Sequence, residues 1–186
     1  MGIENERKLL LNTSQHAHLM NDIKSDHNVE WFDITQAYLS NSCRIRHVVP
    51  HLIHNAQETF LFTFKTKVRG ATVEIENEIS VHDYMKLFLI AKPVIVKTRA
   101  KILCDSHHWD VDFLRKPKSG DVYLVMAEAE MPEFATELPE IHSLLEPYAL
   151  KWIDHGDKRF NNRNLSDPKK ATQAVEEILN AKATAK

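Results

Sequence analysis

The chain has 186 residues, 43% of them hydrophobic and 27% charged, which is the size and composition of one globular domain, residues 1–186, with a core of its own. Its 26 acids and 24 bases leave a formal charge of −2, so no global basic field favours nucleic acid, and any polyanion site has to be local. Two cysteines, Cys43 and Cys104, without a C-x-x-C spacing or a secretory leader, and no apolar run near the ~20 residues that span a bilayer, predict a cytoplasmic protein without membrane partners.

In chain order, segments rich in β-branched and aromatic residues predict eight strands, near 2–11, 33–39, 43–49, 58–68, 71–80, 93–104, 108–114 and 121–131. The linkers "LSNS" (39–42) and "KPKSG" (116–120) are turn-like and suit antiparallel neighbours. A helix is predicted over "VHDYMKLFLIA" (81–91) and an irregular helical stretch over roughly 139–152. The last segment, about 167–183, reads as an amphipathic helix: Ser166 or Asp167 caps it, Pro168 sits in its first turn, and Ala171, Val175, Ile178 and Leu179 share a face suited to lie on the sheet. No solenoid repeat or low-complexity tract occurs. Four glycines and the absence of any phosphate-loop pattern mean that phosphate, if bound, is bound by side chains.

The opening strand "IENERKLLL" puts Glu4, Glu6 and Lys8 on one face, because strand side chains alternate with a period of two. Alone, such a face has three readings: it binds a divalent cation, pairs internally, or faces water. The pattern then recurs in six of the other seven strands: Arg44/Arg46, Lys65/Lys67, Glu74/Glu76/Glu78, Lys97/Arg99/Lys101, Asp110/Asp112 and Glu128/Glu130. A solvated face would mix Thr, Ser, Gln and Lys and avoid like charges along one strand. The opposite faces carry Ile45, Phe64, Ile75, Val96, Val111, Ala127 and Ala129. The predicted fold is therefore α+β, an eight-stranded antiparallel β-barrel or tunnel with a charged lumen and helices packed outside. Acidic pairs from the first and last strands suit a hard cation such as Mg²⁺ or Mn²⁺, and the basic strands suit phosphate oxygens, best those of an extended triphosphate.

Eight ordered blocks carry a family resemblance: "IENERK", "QAYLS…RIR", "FTFKTK", "VEIENEI", "VIVKTR", "WDVDF", "LVMAEAEM" and "DKRFNN". Together they resemble the CYTH superfamily, the triphosphate tunnel metalloenzymes, over nearly the whole chain. The resemblance implies an eight-stranded tunnel acting with Mg²⁺ or Mn²⁺ on a triphosphate-containing small molecule such as tripolyphosphate, ATP or another nucleotide. It implies Glu4, Glu6, Glu128 and Glu130 as metal-binding acids, and Lys8, Arg44, Arg46, Lys65, Lys97 and Arg99 as the phosphate grip. It further implies Lys8 as a catalytic residue orienting water, Glu76 and Glu78 as lumenal acids that hold basic side chains or a second metal, and Arg159 as a reach from the mouth. The implied activity is that of a metal-dependent phosphohydrolase. Its rivals are an adenylyl cyclase of the class IV type, making cyclic AMP and pyrophosphate from ATP, and a non-catalytic polyphosphate- or nucleotide-binding module. The oligomeric state, a homodimer included, stays open.

Other residues read more simply. The histidines of "HAH" (16–18) and "HH" (107–108) lack the clustered spacing of a zinc site and read as surface or loop residues. Trp31, Trp109 and Trp152 do not interleave with a basic patch and read as core or lid. The basic "RKPKSG" reads as a solvated hairpin turn.

Overall fold

The computed structural model of the protein describes residues 5–51, 57–68, 71–104 and 108–180. Glu4, His107, the first residues of the predicted opening strand and the last three of the predicted C-terminal helix lie outside them. Nine strands form a single antiparallel sheet. They are β1 (Glu6–Leu11), β2 (Val29–Tyr38), β3 (Cys43–Pro50), β4 (Thr59–Val68), β5 (Ala71–Glu78), β6 (Val94–Leu103), β7 (His108–Arg115), β8 (Val122–Glu130) and β9 (Ala149–Ile153). The spatial order is β5-β4-β3-β2-β6-β7-β8-β1-β9. Helices α1 (His16–Lys24), α2 (Val81–Phe88), α3 (Asn162–Leu165) and α4 (Pro168–Asn180) complete the α+β fold.

Two expectations are corrected. The hydrogen-bonded order ends at β5 and β9, with no pairing between them among the described residues, so the sheet is open and nine-stranded where a closed eight-stranded barrel was predicted. It curls nonetheless: Lys67 and Thr72 near one edge share a hollow of about 340 Å³ with Ile153, Asp154 and His155 at the other. The ninth strand lies within the stretch predicted to be irregular helix; there a single 3-10 turn, Glu146–Tyr148, leads into β9, which pairs with β1.

The alternation decides the layering. One face of β1, β6, β7 and β8 contributes Leu9, Ala100, Ile102, Val111, Phe113, Ala127 and Ala129 to a core under α1, whose Leu19 and Ile23 are fully buried in it. Trp31 and Trp109 belong to this core, and Trp152 packs on Trp109 with the rings tilted by 39° and their centroids 5.9 Å apart. On the same side, Ala37 and Ile45 pack under α2 through Tyr84. Ser80 caps α2 by accepting the Asp83 amide.

The other face is concave and divided along its length. At one end Leu10, Ile95, Leu114, Leu124 and Met126 are apolar, and Phe160, Leu165, Ala171, Ala174 and Ile178 from the C-terminal segment cover them. The face that buries α4 is thus the one that, a residue pair further along each strand, turns ionic: Leu10 gives way to Lys8, Ile95 to Lys97, Leu114 to Asp112 and Met126 to Glu128. No helix among the described residues is long and apolar enough to cross a membrane.

Candidate functional site

The ionic half of the concave face encloses a cavity of about 210 Å³. Arg44 and Arg46 of β3, Lys65 of β4 and Lys97 and Arg99 of β6 line it with cations; Glu6 of β1, Glu74 of β5 and Glu128 and Glu130 of β8 line it with carboxylates. Gln36 of β2 and Asn162 of α3 complete the wall, so every lining side chain is polar. Seven strands from across the sheet meet at one small space, which requires the strong curl described above. A larger hollow, about 750 Å³, lies beside Lys24, His27, Trp31 and His51, where Trp31 belongs to the core of the opposite face, away from the charged stripes.

Register aligns the charges in rows across β1, β8 and β7. Glu6 lies opposite Glu130, and Glu130 opposite His108; one row along, Lys8 lies opposite Glu128, and Glu128 opposite Asp110. The Lys8 ammonium is 2.7 Å from Glu6 Oε1 and also bonds Glu128. Burial works against the Lys8 ammonium, but Glu128 and Glu6 outweigh it and hold its pKa above the ordinary range. It therefore remains a donor and is no general base. Burial likewise opposes the Glu128 carboxylate, yet Lys8, Arg99 and Lys97 hold it well below the usual range, so it stays ionised.

Arg99 is the hub. Its guanidinium donates from Nε to Asp112 Oδ1 at 2.6 Å and from Nη2 to Asp112 Oδ2 at 2.7 Å, a two-pronged pairing. It also bonds Asp110, and reaches Glu128 at 3.3 Å. Lys97, 3% exposed, sits 2.5 Å from Asp112 Oδ2. Its burial and the neighbouring Arg99 charge outweigh Asp112 and push its pKa down to about 8. On the far wall Glu74 takes Arg44 and Lys65, both at 2.9 Å, and Arg46 bonds Glu76. Burial and the adjacent Arg44 lower Arg46 to about 10. Burial opposes the Glu74 carboxylate, while Arg44 and Lys65 hold its pKa below the ordinary value.

Of the site residues predicted from sequence, Glu6, Arg44, Arg46, Lys65, Lys97, Arg99, Glu128 and Glu130 come together around this cavity, with Lys8 bonded to two of its acids. Glu4 lies outside the described residues. Glu76 sits beside the cavity, held by Arg46 and by the Thr63 hydroxyl at 2.8 Å. Glu78 is exposed at the end of β5, opposite Leu61, and does not line the cavity. Arg159 lies apart, donating to Asp157 at 2.6 Å and to Glu177 at 2.9 Å beside α4.

Four residues given no site role by the sequence reading, Glu74, Asp110, Asp112 and His108, join the network. Glu74, not Glu78, faces the cations, because register sets it against Lys65. Asp112 orders Lys97 and Arg99. His108 is no loop residue: it is the first residue of β7, and its ring nitrogen, an Asp110 oxygen and a Glu130 oxygen all lie within 4.8 Å of one another. Those three could hold a metal ion. The Asp110 Oδ1 atom is buried without a hydrogen-bond partner, and burial raises the Asp110 pKa despite Arg99. A donor set of carboxylates and one imidazole with an orphaned oxygen fits a divalent cation.

The class this defines is a curled antiparallel sheet whose concave face forms an ionic cavity built by side chains alone. No protein-family model and no curated protein matches the chain. Solved structures align with it over most of its length at low identity. The PH1012 protein of Pyrococcus horikoshii OT3 is 16% identical, with a TM-score of 0.42, over 96% of this chain and 90% of that one. A chain of the Schizosaccharomyces pombe Mediator head module is 6% identical, with a TM-score of 0.45, over 97% and 96%. A Bacillus halodurans protein called a "putative adenylate cyclase" is 15% identical, with a TM-score of 0.43, over 70% and 82%. With TM-scores below 0.5, no activity, ligand or partner passes from these proteins to this chain.

Proposed function

We propose that the protein is a divalent-metal-dependent phosphohydrolase of inorganic triphosphate or a related triphosphate compound. The observation that carries this reading is the cavity itself, where five cations from three strands face a carboxylate wall on β1 and β8. Arginine forks and lysine point charges are the side-chain means of holding phosphate oxygens where no glycine loop supplies amides. The ordered blocks that resemble the triphosphate tunnel metalloenzymes support the same reading.

In this reading Arg44, Arg46, Lys65, Lys97 and Arg99 bind the phosphate chain and stabilise the charge that develops on its oxygens. Lys8, kept as an ammonium by Glu6 and Glu128, orients the attacking water by donation and takes no proton from it. Glu6, Glu128 and Glu130, with Glu4, would hold a Mg²⁺ or Mn²⁺ ion, which when bound polarises phosphoryl oxygens and lowers the pKa of water. Asp112 and Glu74 fix the cations in place.

Phosphate release from tripolyphosphate and from ATP, with Mg²⁺ or Mn²⁺ and with chelator, tests this. Metal-dependent release is expected, and Glu6→Gln should lower it by orders of magnitude while the protein still folds, because Gln keeps the size of a half-buried side chain at the end of a strand and removes only its charge. A wild-type rate in Glu6→Gln would sink the metal assignment. Cyclic AMP and pyrophosphate as the ATP products would replace the hydrolase with an adenylyl cyclase, and metal-indifferent binding without turnover would leave only a polyphosphate-binding module.

A further inference from the structure

The row of acids running from β1 to β7 does not end in an acid. Glu6 faces Glu130, and Glu130 faces His108, so an imidazole stands where a carboxylate would continue the pattern. One row along, Glu128 is bonded by Lys8 and reached by Arg99 at 3.3 Å. The oxygen left over is on β7: Asp110 is 5% exposed, its Oδ2 is bonded by Arg99, and its Oδ1 is buried with no hydrogen-bond partner, 3.8 Å from His108 Nε2. The His108 side chain is 31% exposed, which leaves an approach from solvent.

We infer that His108, Asp110 and Glu130 form a mixed imidazole–carboxylate site for a divalent transition metal, and that the imidazole makes this protein select Mn²⁺ and later first-row ions over Mg²⁺. The inference deepens the proposed function, on which it rests for its purpose but not for its binding chemistry. Mg²⁺ demands oxygen ligands and gives up its waters reluctantly, whereas a neutral imidazole is a good ligand for first-row transition ions. The strand pleat makes the arrangement rigid: His108 and Asp110 alternate onto one face of β7, and backbone pairing with β8 fixes Glu130 beside them. No loop has to close to bring the three atoms within 4.8 Å. In the sequence, "HWDVDF" carries the signal as a third member of the Asp110/Asp112 stripe, two residues upstream.

The test uses the whole chain and the metals alone. Mn²⁺ binding is followed by electron paramagnetic resonance, with nitrogen hyperfine coupling as the reporter of a ring ligand, and Mg²⁺ binding by calorimetry. Wild type should bind Mn²⁺ at least about tenfold more tightly than Mg²⁺ and show the nitrogen coupling. His108→Ala should lose the coupling and weaken Mn²⁺ by at least about tenfold, the loss seen when even an outer partner of a ligand is removed, with little change for Mg²⁺. His108→Gln, which keeps the bulk, should behave like His108→Ala. Manganese without nitrogen coupling in wild type, or an unchanged Mn²⁺ to Mg²⁺ ratio in His108→Ala, overturns the site. The two readings fail separately: nitrogen-ligated manganese on a protein that leaves tripolyphosphate intact upholds this site and overturns the hydrolase. Metal-dependent cleavage of tripolyphosphate with no nitrogen on the manganese does the reverse.

Discussion

Lys97 shows how far single residues in this cavity are from their behaviour in water. Its ammonium is almost completely buried and shares Asp112 with Arg99, which holds both carboxylate oxygens. Desolvation and the Arg99 charge therefore win, and Lys97 gives up its proton near pH 8 in the fold against 10.5 when unfolded. Between those pH values the unfolded chain holds a proton that the folded one has lost, so this group makes stability rise with pH across the window. Each tenfold displacement of the equilibrium is worth about 1.4 kcal/mol. Lys97→Met lacks the group. Chemical denaturation of both proteins from about pH 7 to 11 should show wild type gaining stability relative to Lys97→Met as pH rises. A constant difference would mean that Asp112 keeps Lys97 charged throughout. In the proposed function, Lys97 would be available to phosphate as an ammonium below pH 8, and the grip would lose one cation above it.

At the scale of elements, the C-terminal segment acts as a stopper. Phe160, fully buried, and Ala171, Ala174 and Ile178 of α4 cover Leu10, Ile95, Leu114 and Met126, the apolar continuation of the same stripes that carry Lys8, Lys97, Asp112 and Glu128. Phe160→Ala should cost about 3–5 kcal/mol in denaturant unfolding, the penalty for emptying a packed aromatic site. A loss below about 1 kcal/mol would mean that the segment merely rests on the sheet.

The strands were legible because charge alternates with apolar residues at a period of two, a signal that seven of the nine carry, while β2 was legible from its β-branched and aromatic residues. β9 was not, since "ALKWI" is five residues long and follows Leu144, Leu145 and Tyr148, whose spacing reads as helix. The helix α1 was missed because Leu19 and Ile23 are its only fully buried residues, and "HAHLMNDIK" otherwise reads as loop. The candidate site was legible as stripes and not as rows. Alternation says that Glu74, Glu76 and Glu78 share a face, but only the register of β5 on β4 says which one meets Lys65. The role of His108 was hidden for the same reason: its partner Glu130 is 22 positions away, and nothing in one strand announces a neighbour in the next.

For the whole molecule, the charges around the cavity set a condition on any ligand. Lys8, Arg44, Arg46, Lys65, Lys97 and Arg99 are the cations, and each bonds at least one acid already, from Lys8 with Glu6 to Lys65 with Glu74. The acids Glu6, Glu74, Glu76, Asp110, Asp112, Glu128 and Glu130 outnumber them by one. A polyphosphate entering alone would compete with these carboxylates for every fork and meet a net negative wall at close range, where low polarity strengthens repulsion. A dication held by the β7 and β8 carboxylates reverses the local balance and frees the cations for phosphate. Binding of metal and of triphosphate should therefore be cooperative. By linkage the factor must be the same in both directions, so Mn²⁺ should tighten tripolyphosphate as much as tripolyphosphate tightens Mn²⁺, by roughly 5- to 150-fold for a coupling of ordinary size. Calorimetric titration of tripolyphosphate at graded Mn²⁺, corrected for the complex the two form in solution, measures one arm; Mn²⁺ titration at graded tripolyphosphate measures the other. Equal tripolyphosphate affinity with and without metal would mean that the acidic wall does not bear on the ligand, and the cavity would then be an ion-paired core and no triphosphate site.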